Sequence, residues 1–191
     1  YKANVLKAAS SLDIQTIAPL HGPILEGEKM QEAVRLYTIW SSYEPETDGV
    51  LVAYASIHGN TRKAALQLAE VLRAKGAKVA VTDLSRDDMA EAVEDAFRMS
   101  RMVLCCSTYD ADIFPPMHNF LHKLQLKTYQ SRRVGLVENG SWAPQAARIM
   151  RSMLEQLKDI TIVEPVVSIR STLKPTDVPA LEALAEHLLQ D

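Results

Sequence analysis

The sequence predicts an α/β fold: a doubly wound, five-stranded parallel sheet with helices on both faces. After residue 49, short apolar runs rich in β-branched residues alternate with amphipathic helical stretches, which is the pattern of βαβ units. The first run begins at Val50 and has the composition of a strand buried on both faces. The chemically distinctive loops follow the first, third and fourth strands, where such sheets bind ligands.

The composition is that of an ordinary globular chain, and it excludes several classes of function. The 191 residues are 47% hydrophobic and 24% charged, with a net charge of −3 and both signs interspersed, so no nucleic-acid partner is expected. No apolar run approaches the length of a membrane span, and the N-terminus has no signal-peptide core. Cys105 and Cys106 are adjacent in an apolar strand, which indicates two small core residues in a protein of the reducing cytoplasm.

The residues before the alternating pattern form a separate region. Its elements are the end of a helix, a short strand and a longer helix, expected at Tyr1–Leu12, Ile14–Ala18 and Glu26–Ser42. The apolar positions are Val5, Leu6 and Ala9 in the first helix, and Met30, Val34, Tyr37 and Trp40 or Ile39 in the second. The polar segment Tyr43–Gly49 breaks helix and strand alike, so we expect two parts, residues 1–48 and 49–191.

The remaining elements follow in order along the second part. Strands are expected from Val50, at Lys78–Thr82, Met102–Cys106 and Val134–Glu138, and within Thr161–Ile169. Helices are expected from Arg62 to the stop at Gly76, then at Asp88–Phe97 with Ser85 as its cap, Pro116–Leu124, Ala143–Leu157 and Thr176–Leu189.

The segment Ser56–Thr61 joins the first strand to the helix that begins at Arg62, and it is small, hydroxyl-bearing and contains Gly59. Backbone N–H groups at a helix start attract a phosphate, to which Ser and Thr hydroxyls can also donate. The segment lacks the lysine of a Walker A motif and the three glycines of a dinucleotide fingerprint. It therefore suits a phosphate that only needs to be held; the alternative is an ordinary βα turn with a Ser or Thr cap.

The pattern Ser-x-x-Gly-Asn-Thr after a first strand resembles the phosphate loop of the flavodoxin family, which holds the 5′-phosphate of FMN. That resemblance implies the strand order 2-1-3-4-5. The segments Ser107–Met117 and Glu138–Pro144 are similar to the second and third flavin loops of flavodiiron proteins (A-type flavoproteins). In that family a diiron domain of metallo-β-lactamase fold precedes a flavodoxin-like domain.

The resemblance implies a set of FMN-binding residues. They are Ser56, Ile57, His58, Gly59, Asn60, Thr61, Ser107, Thr108, Tyr109, Asp110, Ala111, Asn139, Gly140, Ser141 and Trp142. Tyr109 and Trp142 would offer stacking faces for the flavin ring, and Ala111 and Gly140 would allow a close approach of the backbone. Three residues depart from the family pattern: His58 stands where an aromatic is usual, and Asp110 and Asp112 replace neutral residues.

The segment Ile17–Ile24 resembles the end of the flavodiiron metal domain, and His21 matches the position of an iron ligand there. The other ligands lie in segments that this chain does not contain, so we expect no metal site here and regard residues 1–48 as a remnant of that domain. The resemblance thus implies an FMN-binding electron-transfer module of an O₂ or NO reductase. Its electrons would come from a redox donor such as a rubredoxin or a flavin reductase, and a homodimer is implied.

Three other functions are alternatives to this one. A phosphoacceptor receiver domain shares the sheet order, but it needs acidic residues where this chain has Tyr54–Ser56 and Cys106–Ser107. A flavodoxin-like NAD(P)H:quinone oxidoreductase also uses FMN and is the main alternative. An interaction module with an empty site is the third.

Overall fold

The computed structural model describes residues 2–9 and 11–190, without the side chains of residues 2, 3, 5 and 6. It divides into two compact units, Tyr1–Glu46 and Thr47–Asp191. The helical assignment of Tyr1 and the apolar roles of Val5 and Leu6 lie outside the described residues. In the described part of the chain, none of the helices combines the length and the apolar character needed to cross a lipid bilayer.

The first unit contains helix α1 (Lys2–Ala9), strands β1 (Thr16–Ile17) and β2 (Leu25–Glu26), and helix α2 (Gly27–Ser42). The two strands pair antiparallel. The inward stripe of α2 consists of the half-buried residues Met30, Ala33, Leu36 and Ile39. The predicted stripe is wrong for Val34, Tyr37 and Trp40, which are 44%, 37% and 53% exposed. Both stripes have helical spacing, so packing within the unit decided which one turned inward.

The second unit alternates strands and helices along the chain. Its elements are β3 (Thr47–Ala55), α3 (Asn60–Ala74), β4 (Val79–Asp83), α4 (Met89–Arg98), β5 (Met99–Tyr109), β6 (Asp112–Ile113), α5 (Pro115–Leu126), β7 (Arg132–Asn139), α6 (Ala146–Leu154), β8 (Ile160–Ile169), a 3₁₀ turn (Pro175–Asp177) and α7 (Val178–Leu189).

The main sheet has the order β4-β3-β5-β7-β8 with every neighbouring pair parallel. Numbered among these strands alone, that order is 2-1-3-4-5, so the predicted fold class and strand order are confirmed. The additional strand β6 pairs antiparallel with the end of β5. The change from β4 on one side of β3 to β5 on the other creates a switch point between them, where ligands bind such sheets.

Strand alternation divides the core into two layers, one on each face of the sheet. One layer contains Leu51 and Cys106 with buried residues of α4, α5 and α6; the other contains Val52 and Cys105 with buried residues of α3 and α7. The prediction that the two cysteines are core residues on opposite faces is confirmed, and both are free thiols. Burial raises the pKa of the Cys106 thiol to about 12, so this group is not a nucleophile at neutral pH.

Three predicted details of the elements are wrong. The third strand of the main sheet, β5, does not stop at Cys106 but continues to Tyr109, because its polar end is paired with β6. The N-cap of α4 is Asp88, whose Oδ1 accepts from the N–H of Ala90 at 2.7 Å, and not Ser85, which belongs to the preceding turn. Helix α6 is also shorter than the predicted Ala143–Leu157 at both ends.

Candidate functional site

The carboxyl ends of β3, β5 and β7 lie side by side, because the three strands are parallel and in register. Ala55 pairs with Cys106, and Ser107 pairs with Asn139. Three segments therefore meet at one edge: residues 56–61, residues 107–112 and residues 139–145. All fifteen residues predicted to bind a cofactor lie in these segments, and residues distant in the sequence are brought together there.

The start of helix α3 has no side chain that caps it. Its N-cap residue, Gly59, has a φ of 85° and no side chain that could cap the helix, and its own N–H donates to Ser56 Oγ at 3.0 Å. A Cβ at Gly59 would meet no heavy atom within 4 Å. The N–H groups at the start of α3 are therefore left without a capping acceptor from the N-cap residue, and uncapped N–H groups at a helix start are the arrangement that binds anions.

Hydroxyl groups link this helix start to the neighbouring strand. Thr61 is only 1% exposed, and its Oγ1 lies 2.7 Å from Ser107 Oγ at the end of β5. Either hydroxyl can be the donor, so the pair can turn one O–H toward an incoming acceptor. Three hydroxyl groups therefore lie at or next to the helix start. They belong to Ser56 in the preceding loop, Thr61 in α3 and Ser107 at the end of β5.

The first turn of α3 carries cations, Arg62 and Lys63, and no acidic residue. Positive side chains at a helix N-terminus oppose the helix dipole, and a bound anion would relieve that repulsion. Tyr54, at the end of β3, pairs in the sheet with Asp83 at the end of β4. Burial raises the pKa of this tyrosine, which keeps its hydroxyl protonated. Arg62 and Lys63 were not among the predicted site residues, although two cations directly after the Gly-Asn-Thr run were a visible signal.

The second segment is a tight hairpin. Tyr109 pairs with Asp112, and the two residues between them, Asp110 and Ala111, have φ values of 49° and 60°. Two successive positive φ values are the pattern of a type I′ turn. Neither residue is glycine, so each left-handed conformation costs roughly 1–3 kcal/mol. The Asp-Ala pair is a weak turn signal, which is why the sequence predicted a loop here.

The ring of Tyr109 lies at the rim of this hairpin. It is 43% exposed and packs against Phe114, with the ring centroids 5.8 Å apart and the planes tilted by 59°. One side of the ring is thus supported by the protein, and the remaining surface is available to a flat ligand.

The start of helix α6 is capped by side chains from two neighbouring strands. Thr108 Oγ1 accepts from the N–H groups of Gln145 at 3.0 Å and Ala146 at 3.2 Å. Glu138 Oε2 accepts from the N–H of Ala147 at 2.9 Å, and its other oxygen accepts from the Ser168 hydroxyl. The hairpin and the third segment are therefore joined through α6. Glu138 was not among the predicted site residues, although a carboxylate ending an apolar strand was the available signal.

The third segment passes very close to the hairpin. A Cβ at Gly140 would lie 2.9 Å from Pro144 Cα and 3.2 Å from Thr108 Oγ1, so only glycine fits there. The amide of Asn139 is bonded to the backbone of Ser171 at 2.8 and 3.1 Å, so it holds the loop after β8. Trp142 is 93% exposed at the tip of the segment. Asn139 and Thr108 thus contribute their side chains to the frame of the site.

Together the three segments can hold a flat ligand that carries an anionic group. The uncapped helix start and the hydroxyls would bind the anion, and Tyr109 and Trp142 offer aromatic faces on the adjacent segments. His21, the residue matched to an iron ligand, lies on an exposed loop of the first unit between β1 and β2. Over residues 2–9 and 11–190, no group of three or more His, Cys, Asp or Glu side chains is placed to hold a metal ion.

Comparison with known sequences gives two results. The sequence pattern described as flavodoxin matches residues 52–180. Coenzyme F420H(2) oxidase of Methanothermobacter marburgensis is 32% identical over 112 residues, which are 59% of this chain and 27% of that protein. The chain therefore spans less than a third of the length of this relative.

Two solved structures share the fold over nearly the whole chain. Rubredoxin oxygen:oxidoreductase of Desulfovibrio gigas has a TM-score of 0.90 at 18% identity, and the flavodiiron protein of Giardia intestinalis has a TM-score of 0.86 at 17% identity. Each match covers 98% of this chain and 47% of the solved chain. The similarity extends across both compact units, and this chain spans less than half of either protein.

Replacing Thr108 tests the shared cap of α6. Thr108→Val keeps the shape of the side chain but removes the acceptor, and we expect it to lower the free energy of unfolding by ~1–2 kcal/mol. Thr108→Ser should retain most of the stability. Asp88→Ala, which removes the ordinary cap of α4, provides the scale for comparison. Urea unfolding measures all three variants, and a Thr108→Val variant as stable as the parent chain would refute the shared cap.

Proposed function

Because this chain belongs to the flavodoxin family, we propose that its second unit is the FMN-carrying electron-transfer domain of a flavodiiron-type oxidoreductase. The observation that carries this proposal is the uncapped, hydroxyl-lined start of α3 beside two segments that present exposed aromatic rings. The family's cofactor is FMN, and the site has a separate feature for each part of that molecule.

The phosphate of FMN would be held by the segment Ser56–Thr61. The first N–H groups of α3 would donate to it, together with the hydroxyls of Ser56, which precedes the helix, and Thr61, which lies in its first turn. Hydrogen bonds to a charged group are each worth roughly 1.5–3 kcal/mol, so a few of them account for firm binding. Arg62 and Lys63 add positive charge at this end of the site.

The ring of FMN would lie between the second and third segments. Tyr109 and Trp142 would cover its faces, and the backbone of Asp110, Ala111, Gly140 and Ser141 would meet its polar edge. Ile57 and His58, both exposed on the first segment, would lie beside the phosphate. FMN supplies the reversible uptake and release of electrons, while these residues bind it, orient it and limit its contact with water.

The first unit, Tyr1–Glu46, is proposed to be the C-terminal part of the metallo-β-lactamase-like diiron domain of a longer protein. The boundary predicted after residue 48 falls two residues later, inside β3. Support comes from the likeness to two longer proteins over 98% of this chain. In such a parent, electrons would come from a rubredoxin or a flavin reductase and pass to a diiron site that reduces O₂ or NO. His21 would be one of its iron ligands, and the parent would act as a homodimer.

Changing the phosphate segment tests where FMN is held. Asn60→Pro/Thr61→Val removes one N–H and one hydroxyl donor, so we expect FMN to bind at least roughly tenfold more weakly. Riboflavin lacks the phosphate and serves as the matched ligand, because its affinity should change little. Flavin fluorescence titration measures both. Equal weakening of FMN and riboflavin would place the phosphate elsewhere.

Removing the two carboxylates of the hairpin tests the orientation of the ring. Asp110 and Asp112 are exposed beside the proposed ring position, and reduction adds negative charge to the site. Asp110→Asn/Asp112→Asn should therefore raise the two-electron midpoint potential by roughly tens of millivolts at low salt and by less at high salt. Glu182→Gln/Glu186→Gln makes the same change of charge on α7 and should have little effect. Spectroelectrochemistry gives the potentials; an unchanged value for the hairpin variant would place the ring away from it.

The electron-transfer role is tested with the purified chain. FMN-loaded protein, once reduced by light and a sacrificial donor, should reduce a dye or a small redox protein in stoichiometric amounts. It should show neither catalytic NO consumption nor two bound irons, because one imidazole cannot hold a bridged iron pair. Steady oxidation of NADH with a quinone would favour the quinone-oxidoreductase alternative. A colourless chain that ignores added FMN would refute both functions.

A further inference from the structure

Helix α5 carries two histidines that the proposed flavin site does not use. His118 and His122 are four residues apart within the continuous helix Pro115–Leu126, and both are exposed. The opposite face of the helix is buried in the core through Met117, Phe120, Leu121 and Leu124. Residues four apart in a helix lie one above the other, with Cβ atoms roughly 5–6 Å apart. The core contacts hold this helix, and therefore the spacing of the Cβ atoms from which the two imidazoles extend.

Neither imidazole is engaged elsewhere in the described part of the chain. No hydrogen bond or ion pair involves His118 or His122 there, whereas Nδ1 of His187 lies 2.7 Å from the Glu164 carbonyl oxygen. The ring nitrogens of the pair are therefore available to a ligand. Their neighbours on the exposed side of the helix include Asn119, and the flanking cation Lys123 is half-buried.

We propose that His118 and His122 form a surface chelating site for a borderline divalent cation such as Zn²⁺, Ni²⁺ or Cu²⁺. Two imidazoles at this helical spacing are a recognised pair of zinc ligands. Nitrogen donors suit these metals and not Mg²⁺ or Ca²⁺, which need oxygen ligands. No third side chain joins the pair among the described residues, so water would complete the coordination.

The proposal places metal binding in the second unit and not at the histidine that resembles an iron ligand. His21 is a single exposed imidazole on a loop, and a single ligand gains nothing from chelation. With two ligands on one rigid helix, the second binding step is intramolecular, so the pair binds more tightly than either histidine alone. Metal that remains on the purified chain would then be bound at α5 and would be unrelated to a diiron centre.

Calorimetric titration of the FMN-loaded chain with Zn²⁺ alone tests the proposal. One site is expected, and His118→Ala and His122→Ala should each weaken it at least roughly tenfold. His21→Ala is the matched control, since it also removes one exposed imidazole, and it should leave the affinity unchanged. Each variant should retain the flavin spectrum, which verifies that it is folded.

The exposed residue Leu126 allows the spacing itself to be tested, because it lies four residues beyond His122 and is 71% exposed. Leu126→His combined with His118→Ala restores two imidazoles four apart and should recover the affinity. Leu126→His combined with His122→Ala places them eight residues apart, about 12 Å along the helix, and should not. Two outcomes would overturn the proposal: equal affinity of these two double variants, or a loss of affinity in His21→Ala as large as in His118→Ala.

Discussion

The site depends on one physical constraint: buried polar groups at the carboxyl edge of the sheet must find partners, and they find them across strands. Thr61 pairs with Ser107. Thr108 and Glu138 accept from the N–H groups at the start of α6. Asn139 is bonded to the loop after β8. These bonds join three loops into one frame. An unpaired buried polar group would cost about 1–3 kcal/mol, so moving any single loop is unfavourable.

The helix starts at this edge differ in a way that selects the ligand position. Helix α4 is capped by Asp88, and α6 is capped by Thr108 and Glu138. Helix α3 has no capping side chain and carries two cations in its first turn. Because a capped helix start already has an acceptor, the free N–H groups and the positive charge remain at α3. Helix α5 also has no capping side chain, but it begins with Pro115 and Pro116, which have no N–H to donate. The uncapped start that has both free N–H groups and positive charge is therefore that of α3.

The opposite edge of the sheet is organised for stability. The guanidinium of Arg132 is 4% exposed and donates to the carbonyl oxygens of Phe97 and Met99, near the end of α4, at 2.8 and 3.0 Å. It also stacks over the ring of Tyr129, with its central carbon 5.8 Å from the ring centroid. Carbonyl groups at a helix C-terminus favour a cation. At this edge Arg132 finds its acceptors within the chain, whereas at the other edge the start of α3 leaves donors free for a ligand.

The sequence by itself determined the fold class, the alternation of strands and helices and the phosphate segment, because these follow from local periodicity and residue type. Apolar runs mark buried strands, and Ser56–Thr61 combines a glycine, hydroxyls and a helix start within six residues. The tertiary structure alone decided that β5 continues into a hairpin, that α2 turns Ala33 inward and not Val34, and that Thr108 and Glu138 cap a helix from other strands. The hairpin is local, but Asp110-Ala111 is a weak turn signal. The inward face of α2 was decided by packing between two stripes of the same spacing, and the cap of α6 rests on hydrogen bonds between residues distant in the chain. Local pattern carries no information about such partners, since they exist only once the sheet has formed.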